Sequence, residues 1–329
     1  MKKILFFAGC LTFAGSSMAQ QMPQYSQYLR NQFLINPGSA GVYDFVDVTV
    51  GGRQQWVGFG DEPRTAYVAV TSPISSKPKP KYNPALRISN GPVRNPEIKT
   101  GKAKHAVGGQ FIADQYGAFR ATTIAGTYAI HLPVSKTFNL SFGTKIGMTN
   151  NTFMKNKAQV LNVVDPTLGY TDATYDSYTA NSSSRWIMDF GAGLYLYSKE
   201  SFFGIAADRL SRDFVEFGTG TANFNTQMHF NATAGHKFKL NDNLTLMPAV
   251  LAKFMQPAPV SVEGTLQLEY KEWLWTGVSY RHKDAIVGMV GLNINQMFKF
   301  GYSYDLSLSR FNDFSAGGHE IVLGIMLGR

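Results

Sequence analysis

The sequence predicts an all-β chain folded as a transmembrane antiparallel β-barrel of about 14 strands, with an N-terminal periplasmic or plug segment ahead of the first strand. Three observations predict it. Apolar residues alternate with small or polar ones: Phe138, Leu140, Phe142, Ile146 and Met148 oppose Asn139, Ser141, Gly143, Lys145 and Gly147. The same holds for Val262, Leu266, Leu268 and Tyr270 against Ser261, Glu263, Thr265, Gln267 and Glu269. Period two marks a strand with one apolar face, and runs of ~9–11 residues suit a tilted membrane strand better than the usual ~5–6. Second, beyond the start of the chain no stretch reaches the ~18 uninterrupted apolar residues of a membrane helix. Third, Trp186, Tyr195, Tyr197, Phe202, Phe203, Tyr270, Trp273 and Trp275 gather near strand ends, the pattern of interfacial aromatic girdles.

Composition excludes other classes. Charged residues are 16% and aromatics 13% of the 329 residues, with 32 glycines. A disordered chain is charge-rich and aromatic-poor, and a coiled coil is rich in Ala, Glu, Lys and Leu. The lone Cys10 excludes a disulfide framework and a cysteine zinc site.

The first residues read as an export signal. Lys2 and Lys3 precede an apolar run from Ile4 to Ala14, and Ser17-Met18-Ala19 is a cleavage site before Gln20. A lipid attached at Cys10 is the alternative, but it leaves only Ile4 to Phe7 as the apolar part of the signal. The expected divisions are a signal peptide over 1–19, a periplasmic or plug segment over 20–44 and the barrel over 45–329.

Alternation places strands at 45–56, 64–73, 105–114, 120–131, 137–148, 186–197, 202–210, 227–239, 244–254, 260–270, 273–281, 285–294, 297–305 and 319–328. An even number puts both barrel ends in the periplasm. Long outside loops are then expected at 149–185, 211–226 and 306–318, and short inside turns at 198–201, 240–243, 271–272 and 295–296. Asn, Asp and Gly at such positions suit tight turns.

Residues 74–104 break that pattern, being long yet periplasmic. Lys77, Lys79, Lys81, Arg87, Arg94, Lys99, Lys102 and Lys104 stand there against Glu97 alone. A Lys-Pro-Lys-Pro-Lys stretch is extended rather than folded. It reads as a solvated loop, as a docking arm for an acidic periplasmic partner, or, if the strand count slips, as an outside loop facing acidic lipopolysaccharide. Nucleic acid is no expected partner of an exported chain.

Residues 20–44 carry Tyr25, Gln27, Tyr28, Asn31, Asn36 and Pro37 along with Phe33, Leu34 and Ile35. Such apolar and aromatic side chains seek cover, so the segment is expected to plug the lumen or cap its periplasmic mouth; an interfacial tail is the alternative. Asn36-Pro37-Gly38 is expected as the turn feeding strand one. Arg53, Gln55, Trp56, Phe59 and Pro63 surround the first outside turn; Trp56 suits an interface anchor, and the group is the candidate contact for secreted cargo. Lys145, Asp189, Lys237, Glu263, Glu269, Lys299, Asp305 and Glu320 are expected to face the lumen and pair across it.

No chemistry is legible. The sequence lacks a nucleophile elbow, a phosphate-binding glycine loop and a metal-spaced His pair. His229 and His236 are expected on opposite faces of a strand, as are His319 and Glu320. No catalytic residue, metal or cofactor is expected.

A resemblance enters at the two ends. Residues 24–41 read QYSQYLRNQFLINPGSAG, followed by Arg53-Gln54-Gln55-Trp56-Val57-Gly58-Phe59 and Pro63-Arg64-Thr65. Later come Val278-Ser279-Tyr280-Arg281, Ala285-Ile286-Val287-Gly288, Gly301-Tyr302-Ser303-Tyr304-Asp305 and Gly318-His319-Glu320-Ile321. Together these resemble the PorP/SprF family of Bacteroidota outer-membrane proteins, across the whole exported chain. The chain departs at Gly38-Ser39, where the family reads Ala-Tyr, and at Arg329, where outer-membrane barrels end on an aromatic. The resemblance implies a non-enzymatic outer-membrane barrel of the type IX secretion system and gliding motility. It implies as partners secreted surface proteins, such as adhesins with a distinctive C-terminal domain, and periplasmic ring lipoproteins. A passive porin is the rival reading from architecture alone.

Overall fold

The computed structural model describes residues 23–58, 60–74, 98–157, 184–211, 227–256, 258–294, 297–308 and 315–327, with Asp176, 214–215 and 224–225. The expected signal peptide, Phe59 and Lys77 to Arg94 lie outside these residues.

Strands form wherever the alternation is sustained: β1 (Val46–Gln54), β2 (Arg64–Ile74), β3 (Lys104–Tyr116), β4 (Phe119–Pro133), β5 (Asn139–Phe153), β6 (Ser184–Tyr197) and β7 (Ser201–Asp208). After a short separate ladder of β8 (Phe214–Val215) and β9 (Phe224–Asn225) come β10 (His229–His236), β11 (Phe238–Asn241), β12 (Leu244–Met255) and β13 (Ser261–Tyr270). Then follow β14 (Leu274–Arg281), β15 (Ala285–Ile294), β16 (Phe298–Ser307) and β17 (Gly318–Leu327). Neighbours pair antiparallel in chain order, β7 passes to β10 and β10 to β12, and β17 returns to β1, closing a 14-strand barrel. Closure satisfies every wall strand on both sides, which hydrocarbon demands.

The two faces are inverted relative to a soluble sandwich. Phe142, Ile146, Leu266, Val278 and Leu323 point outward and are 48–58% exposed, whereas Glu263, Gln267, Ser303 and Glu320 point inward at 3% or less. Moving such apolar side chains from water into lipid is worth ~1.5–3 kcal/mol each. The outward belt therefore selects a membrane, and the polar interior requires partners from within.

One end of the barrel, here the turn end, has short connections at 134–138, 198–200, 242–243 and 271–273. Lys271 and Glu272 both take positive φ there, 46° and 61°, as a tight hairpin turn requires. Ile74 and Lys104, the strand ends that bound residues 75–103, also stand at this end. The opposite loop end holds the connections after β1, β5, β7 and β16.

Several expectations are corrected. The strand expected over 227–239 breaks at Lys237, whose N–H bonds to the Glu200 carbonyl at 2.8 Å, so β11 is a separate piece against β12. The strand expected to end at 148 continues to Phe153, because Asn150, Asn151 and Thr152 remain paired on both sides. Loop-end connections are not uniformly long: β3–β4 turns on Gly117 and Ala118, and β14–β15 turns at 282–284, with Lys283 at φ 58°.

Candidate functional site

The interior is built around residues 23–45. Three short 3-10 turns, Tyr28–Arg30, Gln32–Leu34 and Pro37–Ser39, fold this stretch inside the wall. Tyr25, Tyr28, Phe33, Leu34 and Ile35 form its apolar core with Tyr67, Ala69, Ala106, Ala129 and Leu251 of the barrel. The barrel makes room with glycines. A Cβ on Gly143 would stand 2.4 Å from the Pro37 backbone, and one on Gly301 would stand 2.0 Å from Gln27 Oε1.

Each sequence-predicted residue of this segment has a defined place. The Tyr25 ring meets Tyr67 edge to face at 5.4 Å. Gln27 Nε2 donates to the Glu320 carbonyl at 3.2 Å, and the Tyr28 hydroxyl to Thr265 at 3.3 Å. Asn31 caps the first turn, its N–H bonding the Tyr28 carbonyl. Asn36 Nδ2 donates to the Leu194 and Ile205 carbonyls at 3.0 and 3.3 Å, while its Oδ1 accepts from Gly38 N–H. Pro37 opens a turn that lies deep against β5 and β6 rather than immediately before β1, where the sequence placed it. Burial pushes the Tyr25 and Tyr28 phenols well up and Tyr43 to about 12, and it lowers Arg30.

Near the loop end lies a charge network. Arg53 pairs with Asp305 at 2.8 Å and Glu320 at 3.3 Å. Arg281 pairs with Glu263 at 2.8 Å, Asp284 at 3.0 Å and Asp305 at 3.3 Å. Ser26 sits among them: its N–H donates to Glu320 at 2.6 Å, its hydroxyl to Asp305 at 2.8 Å, and Arg53 donates to its Oγ. Elsewhere in the lumen Lys145 bridges Asp189 at 3.3 Å and Asp208 at 2.6 Å, and Lys299 meets Asp47 at 2.7 Å. Removing one partner of such an enclosed pair leaves the other buried without its counter-charge.

The sequence-predicted cargo residues divide. Arg53 is 4% exposed and committed to the interior network, because it shares the inward phase of Thr49 and Gly51. Trp56 adopts φ 53° beside Tyr116, ring centroids 5.9 Å apart. Gln55 N–H bonds the Pro63 carbonyl at 2.9 Å, which joins the two ends of the β1–β2 connection. Of the basic segment, Lys99 pairs with Asp44 and Lys104 Nζ donates to the Val42 carbonyl at 2.7 Å, while the Lys102 carbonyl accepts from Asn139.

Four girdle expectations are corrected. Tyr195, Tyr197 and Trp275 face inward at 4%, 1% and 2% exposure, and Phe202 stacks on Tyr195 on the same side. Tyr195 bonds Gln32, Tyr197 bonds His131 at 2.9 Å, and Arg30 stacks over Trp275 at 4.2 Å. They clamp the segment rather than mark the lipid interface. Cross-strand register was the signal: Trp275 lies opposite Glu269, and opposed residues share a face. Ser26, Asp47, Asp208, Lys253 and Arg281 are further interior residues that the sequence reading did not single out. Among the described residues no His, Cys, Asp or Glu group is arranged to hold a metal.

A closed barrel with an apolar outer belt, short turns at one end and a polar, self-filled lumen defines an outer-membrane β-barrel protein. Its opening motif and its closing Tyr304-Asp305 and His319-Glu320 motifs, distant in sequence, meet at Ser26. The chain belongs to the type IX secretion system membrane protein PorP/SprF family, which it matches over residues 17–325. Family and fold are those of a secretion-system barrel rather than of an enzyme class. No curated protein sequence gives a significant match. Among solved structures it is similar to the Pseudomonas putida toluene transporter TodX, at 9% identity and TM-score 0.47, over 90% of this chain and 93% of that one. The Acinetobacter baumannii outer membrane protein Omp33 matches at 9% identity and TM-score 0.45, over 87% of this chain and 98% of that one. The CymD monoaromatic hydrocarbon channel matches at 9% identity and TM-score 0.48, over 90% and 97%.

Proposed function

We propose that this type IX secretion barrel supports the secretion and surface anchoring of particular cargo proteins, adhesins among them. It binds cargo at the loop end and links to periplasmic ring lipoproteins at the turn end. The observation that carries the reading is the filled lumen. Residues 23–45 occupy it and are bonded to both strands of the β1–β17 seam through Arg53 and Glu320. Passing a folded protein through this interior requires breaking buried ion pairs, at ~3–5 kcal/mol for each partner left alone. An anchor standing beside a separate translocon needs no such opening. In this reading the loop end faces outward, since bacterial barrels keep short turns in the periplasm.

Gln55, Trp56, Phe59 and Pro63 are the candidate cargo contacts on the first outer turn. Lys77, Lys79, Lys81, Arg87, Arg94 and Lys102 form the docking arm for an acidic periplasmic partner, with Lys99 and Lys104 tying its end to the barrel mouth. The test is affinity purification of the tagged barrel from native outer membranes, with single-channel recording on the same sample. Recovery of a surface adhesin and a ring lipoprotein with a nearly silent barrel supports the reading. A barrel recovered alone with stable, sizeable conductance replaces it with a passive porin.

A further inference from the structure

The lumen segment has a polarity opposite to what the start of β1 implies. Its first described residue, Pro23, accepts through its carbonyl from Lys253 Nζ at 3.2 Å, and Lys253 stands two residues from the loop-end terminus of β12 (Leu244–Met255). The Tyr25 ring lies under the same Lys253 ammonium at 5.9 Å. Ser26 contacts Arg53, Arg281, Asp305 and Glu320, each at or within two residues of the loop-end terminus of its strand. Further along, the contacts move to the other mouth. Arg30 stacks on Trp275, one residue into β14 from the turn end. The Ala40 carbonyl is 2.8 Å from His131 Nε2, and Val42 and Asp44 engage Lys104 and Lys99. The chain thus crosses the lumen before it enters β1 at the turn end.

We infer that the N-terminal end of this segment is presented at the loop-end mouth, the outer face, so that the barrel holds its own N-terminal strand of chain threaded outward. The cavity against Pro23 and Tyr25, lined by Asp114, Arg209, His229 and Lys253, lies at that mouth. Ser26 also ties the closing seam, since Arg53 belongs to β1 and Glu320 to β17. β1 and β17 are the first and last wall strands, and Ser26 bridges them from inside the barrel.

Cysteine accessibility tests this on the full chain in native outer membranes. Replacing the single cysteine, Cys10→Ser, gives a silent background. Into it go Pro23→Cys, Lys283→Cys as the exposed loop-end reference and Ser135→Cys as the exposed turn-end reference. With a membrane-impermeant maleimide on intact cells, Pro23→Cys is expected to label together with Lys283→Cys, and Ser135→Cys only after the outer membrane is permeabilised. Labelling of Pro23→Cys in step with Ser135→Cys, or only after denaturation, overturns the inference. A reversed barrel would exchange the two references and still decide which mouth holds Pro23. An epitope inserted directly ahead of Pro23, leaving every described residue intact, gives a second reading. Antibody binding to intact cells supports the inference, and binding confined to permeabilised cells overturns it.

Discussion

Ser26 and Glu320, 294 positions apart, are joined by a 2.6 Å hydrogen bond from backbone N–H to carboxylate inside the barrel. Because Glu320 lies opposite Arg53 in the β1–β17 register, this bond places the start of the chain on the seam that closes the wall. The segment that fills the lumen is therefore bonded to both strands of the closing seam.

Removing Glu320 should expose that coupling. Glu320→Ala leaves Asp305 as the carboxylate paired with Arg53 and orphans the Ser26 N–H, and breaking such a buried pair costs ~3–5 kcal/mol. The expected result is a lowered urea midpoint in detergent and loss of the heat-modifiable folded band on gels. The double replacement Arg53→Met with Glu320→Leu, which removes both charges, should cost less than the sum of the single changes. A single-mutant cost below ~1 kcal/mol, typical of a solvated pair, would sink the idea of a buried seam lock.

Glycine spacing offers a steric test. At Gly143 a new Cβ would meet the Pro37 carbonyl carbon and oxygen at 2.4 Å, which are backbone atoms unable to swing aside. Gly143→Ala should therefore destabilise the packed segment by ~1–3 kcal/mol and raise its cleavage by added protease. Gly288→Ala, where nothing lies within 4 Å of the new Cβ, is the matched control and should change neither. Equal protease sensitivity in both variants would show that Pro37 does not pack there.

The barrel was legible in the sequence because a membrane wall writes a single periodic signal, apolar out and polar or small in, over each strand. The interior was legible only in part. The sequence places Asp189 inward, and Tyr195 and Tyr197 share its parity on β6, yet their end position suggests a girdle. Parity was the better guide, since side chains alternate without exception along an unbulged strand. Arg53 adjoins the first outside turn and is expected there among the cargo contacts, although the same parity argument from Thr49 places it inside. The Lys237 break was not legible at all. It depends on the Glu200 carbonyl, a partner brought close by the β6–β7 turn and the β7–β10 pairing.

If residues 23–45 occlude the lumen, deleting 23–40 should raise small-solute leakage through the outer membrane while leaving the wall strands encoded. Lumen-facing Lys145, Asp189 and Asp208 keep one another paired without the segment, so part of the interior remains charge-balanced. The expected outcome is increased uptake of a small hydrophilic antibiotic by cells and measurable conductance in planar bilayers. Unchanged leakage from a barrel that still runs as a folded band would remove the plug reading.

Alkaline titration should report the same segment from its other end. Tyr43 lies at the turn-end mouth, stacked with Phe45 at 5.4 Å, and burial pushes its phenol from 10.0 to about 12. Below pH 10.0 the phenol is neutral both folded and unfolded, and the stabilisation is complete. Between 10.0 and about 12 the unfolded chain gives up the proton while the folded one retains it, so stability falls as pH rises through that window. Tyr25 and Tyr28, also raised by burial, act in the same direction. The urea midpoint should decline across this range, and Tyr43→Phe should flatten part of the decline by removing one ionising group. An identical decline in wild type and Tyr43→Phe would mean that Tyr43 ionises freely and that the segment is not seated at that mouth.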